Sequence, residues 1–207
     1  MQIAIHLYDR FTALDAVGPY QTLSHLPGAE VVFVAREAGP VLDDHRTLSL
    51  TAHRSFAEVP RPDVLVVVGS GTPDLGDETA LAWLRAADAH TTWTASVCTG
   101  SLLLGAAGLL KGRRATSHWT ALDRLRDFGA ETVDERVVFD GKYVTAAGVS
   151  AGIDMGLSLA GRIGGDRHAQ AVQLMLQYAP EPPYDAGTPD TAPAGLVARL
   201  RSEAAAS

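Results

Sequence analysis

Four short apolar runs rich in β-branched residues limit the folds open to this chain: QIAIHL at 2–7, EVVFVA at 30–35, DVLVVV at 63–68 and TWTASV at 92–97. Strands that are apolar on both sides are buried on both sides, which points to a parallel sheet rather than an antiparallel one with a wet face. Parallel neighbours need long crossovers, and segments with helical spacing separate several of these runs or follow them, at 14–25, 79–90, 101–110, 118–128, 151–162 and 167–178. In 79–90, Leu81, Leu84 and Ala87 share one stripe. The expectation is an α/β fold, a mostly parallel sheet with helices on both faces.

Two segments depart from that alternation. Within 132–147, VVFDGKYV reads as two strands joined at Asp140-Gly141, a pair that accepts the positive φ angles of a type I′ turn. From 180 to 193, PEPPYDAGTPDTAP holds too many prolines for a helix or central strand, and predicts an extended surface arm followed by a short terminal helix.

At 207 residues and 46% hydrophobic, the chain is expected to form one domain over 1–207, burying roughly 70–75% of its unfolded surface. Lys+Arg of 17 against Asp+Glu of 24 gives a net charge of −7, and without a basic run nucleic acid is not an expected partner. No stretch approaches the ~20 apolar residues of a membrane span, and MQIAIHLYDRF has no basic segment before an apolar core, so a cytoplasmic protein without a membrane partner is expected. One cysteine, Cys98, excludes an internal disulfide and a thiolate-rich metal site, and the seven histidines form no HExxH pattern. GSGTPDLG at 69–76 has Asp74 where a dinucleotide loop needs its third glycine. Neither a metal nor an organic cofactor is therefore expected.

The chemistry concentrates in TASVCTGSLLLGAAGLLKG, where a strand ends at Val97, Cys98 occupies the turn and Gly100 opens a helix. Unpaired N–H groups and the helix dipole at such a turn favour thiolate and lower its pKa, although free cysteines also serve as small buried hydrophobes. GVSAG at 148–152 matches the G-x-S-x-G elbow, with Ser150 as the alternative nucleophile. The only histidine downstream is His168, just beyond Asp166 at the start of an expected helix, which favours a small-residue turn over a triad. Asp15, within FTALDAVGPY, is either an acid/base in the cleft at the strand ends or a helix cap. Gly69 and Ser70 are candidate backbone donors to a developing anion, and His118 in ATSHW is either a residue of that cleft or a hydrogen-bonded structural histidine.

Taken together, LDAVGPY, VGSGTPDL, SVCTGSLLLGAAGLLKGRRATSHW, ERVVFDGKYVTAAGVSAGID and QYAPEPPYDAGTPDTAP resemble the DJ-1/PfpI superfamily, and more narrowly its isocyanide hydratases. The resemblance implies a flavodoxin-like fold of the class I glutamine amidotransferase kind. The core pattern also resembles the ligand domain of some AraC-type regulators, but no helix-turn-helix segment follows here, and a free-standing enzyme is the simpler expectation.

Residue by residue, Cys98 matches the family nucleophile and Asp15 the acid that hydrogen-bonds its thiol, the shorter aspartate being typical of the hydratases. Thr99 stands where protease-like relatives have histidine, so an adjacent Cys-His dyad is absent, and Val68-Gly69-Ser70 replaces a P-G-G turn. The implied reaction converts R–N≡C to an N-formamide through a thioimidate on Cys98. In it Asp15 manages protons, while Gly69, Ser70, Thr99 and His118 position water or intermediate. The implied partners are a small apolar isocyanide, water and a second copy of the chain. A glyoxalase-like enzyme acting on α-oxoaldehydes and a cysteine-based stress sensor are the alternatives, each using a reactive thiol.

Overall fold

The computed structural model describes residues 1–205. The chain opens with strand β1 (Gln2–His6), helix α1 (Ala13–Leu23) and strand β2 (Glu30–Ala35). A hairpin of β3 (Gly39–Leu42) and β4 (Ser49–Ala52) and a two-residue β5 (Arg54–Ser55) precede β6 (Val64–Val67), α2 (Glu78–Asp88) and β7 (Trp93–Val97). Then come α3 (Gly100–Ala106), β8 (Arg114–Ala115), α4 (Leu122–Asp127), β9 (Glu131–Thr132), and the hairpin β10 (Val137–Asp140) and β11 (Tyr143–Ala146). Helices α5 (Ala151–Gly164), α6 (Asp166–Met175) and α7 (Ala194–Ala205) complete the described chain.

Seven strands form one sheet in the order β10-β11-β7-β6-β1-β2-β5, and only the edge pair β10-β11 is antiparallel. Alternation along each strand feeds both faces. Ile3, Ile5, Val64 and Val66 enter one apolar cluster, with Ala16 and Leu23 of α1 and Met155 and Leu159 of α5. Ala4, Leu65 and Val67 enter the other, with Leu81 and Leu84 of α2, Leu102 to Leu104 of α3 and Leu125 of α4. Each fully buried aliphatic side chain contributes about 1.5–3 kcal/mol, which is why strands without a polar face are tolerated here. Successive crossovers leave β1 in opposite directions, toward β2 and toward β6, so a crevice opens at the carboxyl ends of β1 and β6.

The layered sheet and its helices agree with the sequence expectation; residues 180–188 are exposed, and α7 follows. Local differences have physical causes. The β10-β11 turn pairs Asp140 with Tyr143, leaving Gly141-Lys142 as the loop. Gly141 has positive φ (60°), whereas neither Asp140 nor Lys142 does, so the turn is of type II′ rather than type I′ at Asp140-Gly141. The helix expected over 101–110 stops at Ala106, because Gly108 turns the chain at φ 79°. The helix expected from His118 begins only at Leu122, because His118 bonds sideways to Thr120. The β3-β4 hairpin, in which half-buried and exposed residues mix, was not expected.

Candidate active site

The carboxyl end of β7 places Cys98 in the left-handed region, at φ 57°. A non-glycine residue holds that conformation only where its surroundings determine it, and the Cys98 peptide is gripped from several sides. Its N–H donates to the carbonyls of Ala146 and Ala147, both at 3.1 Å, and its own carbonyl accepts from the Ser101 and Ser117 hydroxyls, both at 3.1 Å. The elbow also lies directly against β6: a Cβ at Gly100 would collide with the backbone of Val67 and Val68, so only glycine opens α3 this way.

The segment after β6 supplies the next layer. The Thr99 hydroxyl donates to the Ser70 carbonyl at 2.6 Å and accepts from the Ser70 N–H at 2.9 Å. The Gly69 N–H donates to Asp15 Oδ2 at 2.9 Å, bringing the start of α1 onto the same point. A Cβ at Gly69 would lie 2.7 Å from Thr99 N, 2.7 Å from Thr99 Oγ1 and 2.8 Å from Asp15 Oδ2. Gly69 and Ser70 therefore do not offer free donors to a substrate anion, as the sequence reading had them: their N–H groups are already engaged in fixing Asp15 and Thr99.

The N–H groups directed at the Cys98 sulfur are instead those of Thr99 and Val149. Val149, at φ 30°, is the strained residue of GVSAG. Ser150 beside it is exposed, adopts ordinary helical angles as the N-cap of α5, and accepts from Arg136 at 3.2 Å. His168, on α6, lies beside Gly164, where an added Cβ would come within 3.1 Å of its ring. The elbow-like motif thus serves the cysteine with a backbone donor. Its position, after a strand and before a helix at the same end of the sheet, was the signal that could have identified Val149.

Asp15 is completely buried. Its Oδ1 accepts from no N–H or O–H group among the described residues, and its further contact is the Cys98 thiol. Burial dominates its titration and raises it from 3.8 to about 7, against the Gly69 and Cys98 hydrogen bonds, which lower it. Burial and the Asp15 charge push Cys98 from 9.0 up to about 12, against the Val149 and Thr99 donors. This reverses the sequence expectation of a depressed thiol pKa: desolvation of the sulfur outweighs its N–H donors. The resting pair is a thiol beside a carboxyl whose burial holds its titration well above the usual carboxylate range. Tyr8, whose hydroxyl donates to the Val68 carbonyl at 3.1 Å, closes the far side of the pair, and its pKa is raised by burial and then by the charges of Asp15 and Cys98.

Cys98 opens into a cavity of about 520 Å³ whose wall includes Thr99, Leu102, His118, Trp119 and Val149. His118 Nδ1 lies 2.7 Å from Thr120 Oγ1 and accepts the Thr120 N–H at 3.4 Å, which assigns the ring proton to Nε2. Desolvation lowers its pKa, so at pH 7 it is a neutral imidazole. The structure thus gathers Cys98, Asp15, Thr99, Gly69, Ser70 and His118 at the carboxyl ends of the central strands. Among the described residues, no group of three or more His, Cys, Asp or Glu side chains could hold a metal ion, and no helix is long and apolar enough to cross a membrane.

The chain is 44% identical over 209 residues to an isonitrile hydratase from Pseudomonas putida, covering 100% of this chain and 91% of that one. It is 33% identical to the transcriptional regulator CdhR from Pseudomonas aeruginosa over 70% of this chain and 43% of the regulator. The crystal structure of a ThiJ/PfpI family protein from Pseudomonas syringae superposes with a TM-score of 0.92 at 39% identity, covering 99% of this chain and 89% of that one. The DJ-1/PfpI family profile matches residues 1–161, and the chain belongs to the DJ-1/PfpI family.

Proposed function

We propose that this protein is a lyase that hydrates isocyanides to N-formamides through a covalent thioimidate on Cys98. The observation that carries the reading is the full-length likeness to isonitrile hydratase; the Asp15–Cys98 pair supplies a chemistry for it. A carboxylate at Asp15 takes the thiol proton as sulfur attacks the terminal carbon of R–N≡C. The same proton passes to that carbon, giving R–N=CH–S–Cys98. Burial is the main cause of the high Cys98 pKa and the Asp15 charge the second; accepting the proton discharges Asp15 and removes that second cause, so thiolate character develops as attack proceeds.

Water then adds to the imidate carbon while Asp15 removes one of its protons and passes it to the nitrogen, giving R–NH–CH(OH)–S–Cys98 with Asp15 again a carboxylate that can carry the remaining hydroxyl proton to sulfur. Breaking the C–S bond releases R–NH–CHO and returns the proton to sulfur, so the sum is R–N≡C plus water. The N–H groups of Val149 and Thr99 favour negative charge on sulfur as it attacks and leaves. Gly69 and Ser70 act one step back, by holding Asp15 and Thr99. Neutral His118 borders the cavity and positions water or the imidate nitrogen without adding charge. Leu102, Trp119 and Val149 suit an uncharged substrate.

A homodimer and a cytoplasmic location belong to the same proposal. The test of the reaction is incubation of purified protein with an aromatic isocyanide, following formamide. Catalytic formamide formation is expected. Lactate from methylglyoxal without formamide would move the protein to the glyoxalase-like reading, and stepwise oxidation of Cys98 without turnover would move it to the sensor reading.

A further inference from the structure

The C-terminal segment reaches back over the site. Residues 180–188 are exposed and α7 has no buried residue, yet Leu200 and Ala204 of α7 line the same 520 Å³ cavity as Cys98. The Arg201 guanidinium lies 5.6 Å from the centre of the Trp119 ring, and Trp119 is itself part of the cavity wall.

Upstream, Gly187, Thr188 and Pro189 of the arm line an adjoining cavity of about 440 Å³ that also borders His118, Trp119 and Val149. One strap, running from the arm through α7, therefore walls two neighbouring cavities. The segment lies outside the 1–161 span of the family match, whereas the likeness to the isonitrile hydratase runs through it.

We propose that this strap is the specificity element of the enzyme, with Leu200 and Ala204 setting how large an organic group R can stand above Cys98. The inference rests on the isocyanide reading of that site. The cavity floor is built from the carboxyl ends of the strands and α3, where Gly100 and the Cys98 elbow permit little change. Its outer wall is one side of a surface helix whose Leu200 is 37% exposed, so a substitution there alters the cavity without disturbing the core.

The test compares full-length wild type with Leu200→Trp and Leu200→Ala on two substrates, methyl isocyanide and 2-naphthyl isocyanide. In parallel, Cys98 is alkylated with iodoacetamide and with N-(1-pyrenyl)maleimide, which needs no turnover. One pocket wall changed by several carbons should shift the ratio of kcat/KM for the two substrates by about tenfold. Leu200→Trp disfavours the naphthyl compound, chiefly through KM, and Leu200→Ala favours it. The ratio of pyrenylmaleimide to iodoacetamide rates should move in the same directions. Equal effects on small and large reagents, or no effect, would overturn the strap's role. If wild type hydrates neither isocyanide, the reaction assignment falls, and the alkylation ratios alone decide whether the strap walls the cavity.

Discussion

The cap of α1 is Thr12, so Asp15 is not the helix cap that the sequence allowed; replacing it by Asn separates an acid/base from a group that only holds the Gly69 segment, and the structure gives both the sign and the size of the effect. The Asp15 carboxyl titrates near 3.8 when exposed and at about 7 in the fold. Its ionised form is therefore disfavoured by folding, by about 4 kcal/mol. Because the folded-state pKa is raised, the protonated carboxyl contributes full stability below pH 3.8, and that contribution is lost as pH rises to 7. Above pH 7 the fold carries the whole cost of a buried charge. Asn cannot ionise, and its side-chain oxygen can keep the 2.9 Å bond from the Gly69 N–H.

Asp15→Asn should thus match wild type in stability near pH 4 and exceed it by up to about 4 kcal/mol at pH 8, a rise in Tm on the order of 10 °C. Turnover should fall by roughly 10²–10⁴-fold. With the neighbouring charge gone, Cys98 should alkylate with iodoacetamide more readily. Melting curves at pH 4 and pH 8 beside isocyanide turnover check this. Near-wild-type turnover with an unchanged Tm at both pH values would refute the reasoning, since Asn can accept the Gly69 N–H as Asp does and a purely positioning role would survive the change.

Other consequences follow from the same geometry. Cys98→Ala should abolish formamide formation, whereas Ser150→Ala, at an exposed residue bonded to Arg136, should keep most of it; kcat for the two variants decides between them. Gly69→Ala, whose new Cβ would press on Thr99 and Asp15 within 2.8 Å, should cost about 1–3 kcal/mol in denaturant unfolding and lower kcat more than it raises KM. The kcat profile should rise with pH through about 7 as Asp15 becomes the carboxylate that accepts the thiol proton; a profile flat from pH 5 to 8 would oppose that role. Activity should survive exhaustive chelation and dialysis, and restoration by one added metal would contradict the reading.

What was legible in the sequence was whatever is local. The Val97-Cys98-Gly100 elbow reads directly because strand end, turn and helix start adjoin in the chain, and Asp15 stands out as a carboxylate among apolar residues. What was hidden depends on segments far apart. That the Gly69 and Ser70 N–H groups are occupied follows from Asp15 arriving in the first turn of α1 and Thr99 in the turn between β7 and α3. That Val149 serves the sulfur follows from β11 lying beside β7. The raised thiol pKa is a property of burial, to which neighbours in sequence are blind, and Leu200 reaches the cavity from the other end of the chain.

The measurement closest to the central claim is rapid acid quench of the wild-type protein with an aromatic isocyanide, followed by mass analysis of the peptide carrying Cys98 and of the released product. The account predicts that this peptide gains the mass of one intact isocyanide during turnover and loses it as formamide appears. Formamide accumulating while the Cys98 peptide stays unmodified at every time point, or forming at the wild-type rate in Cys98→Ala, would contradict it.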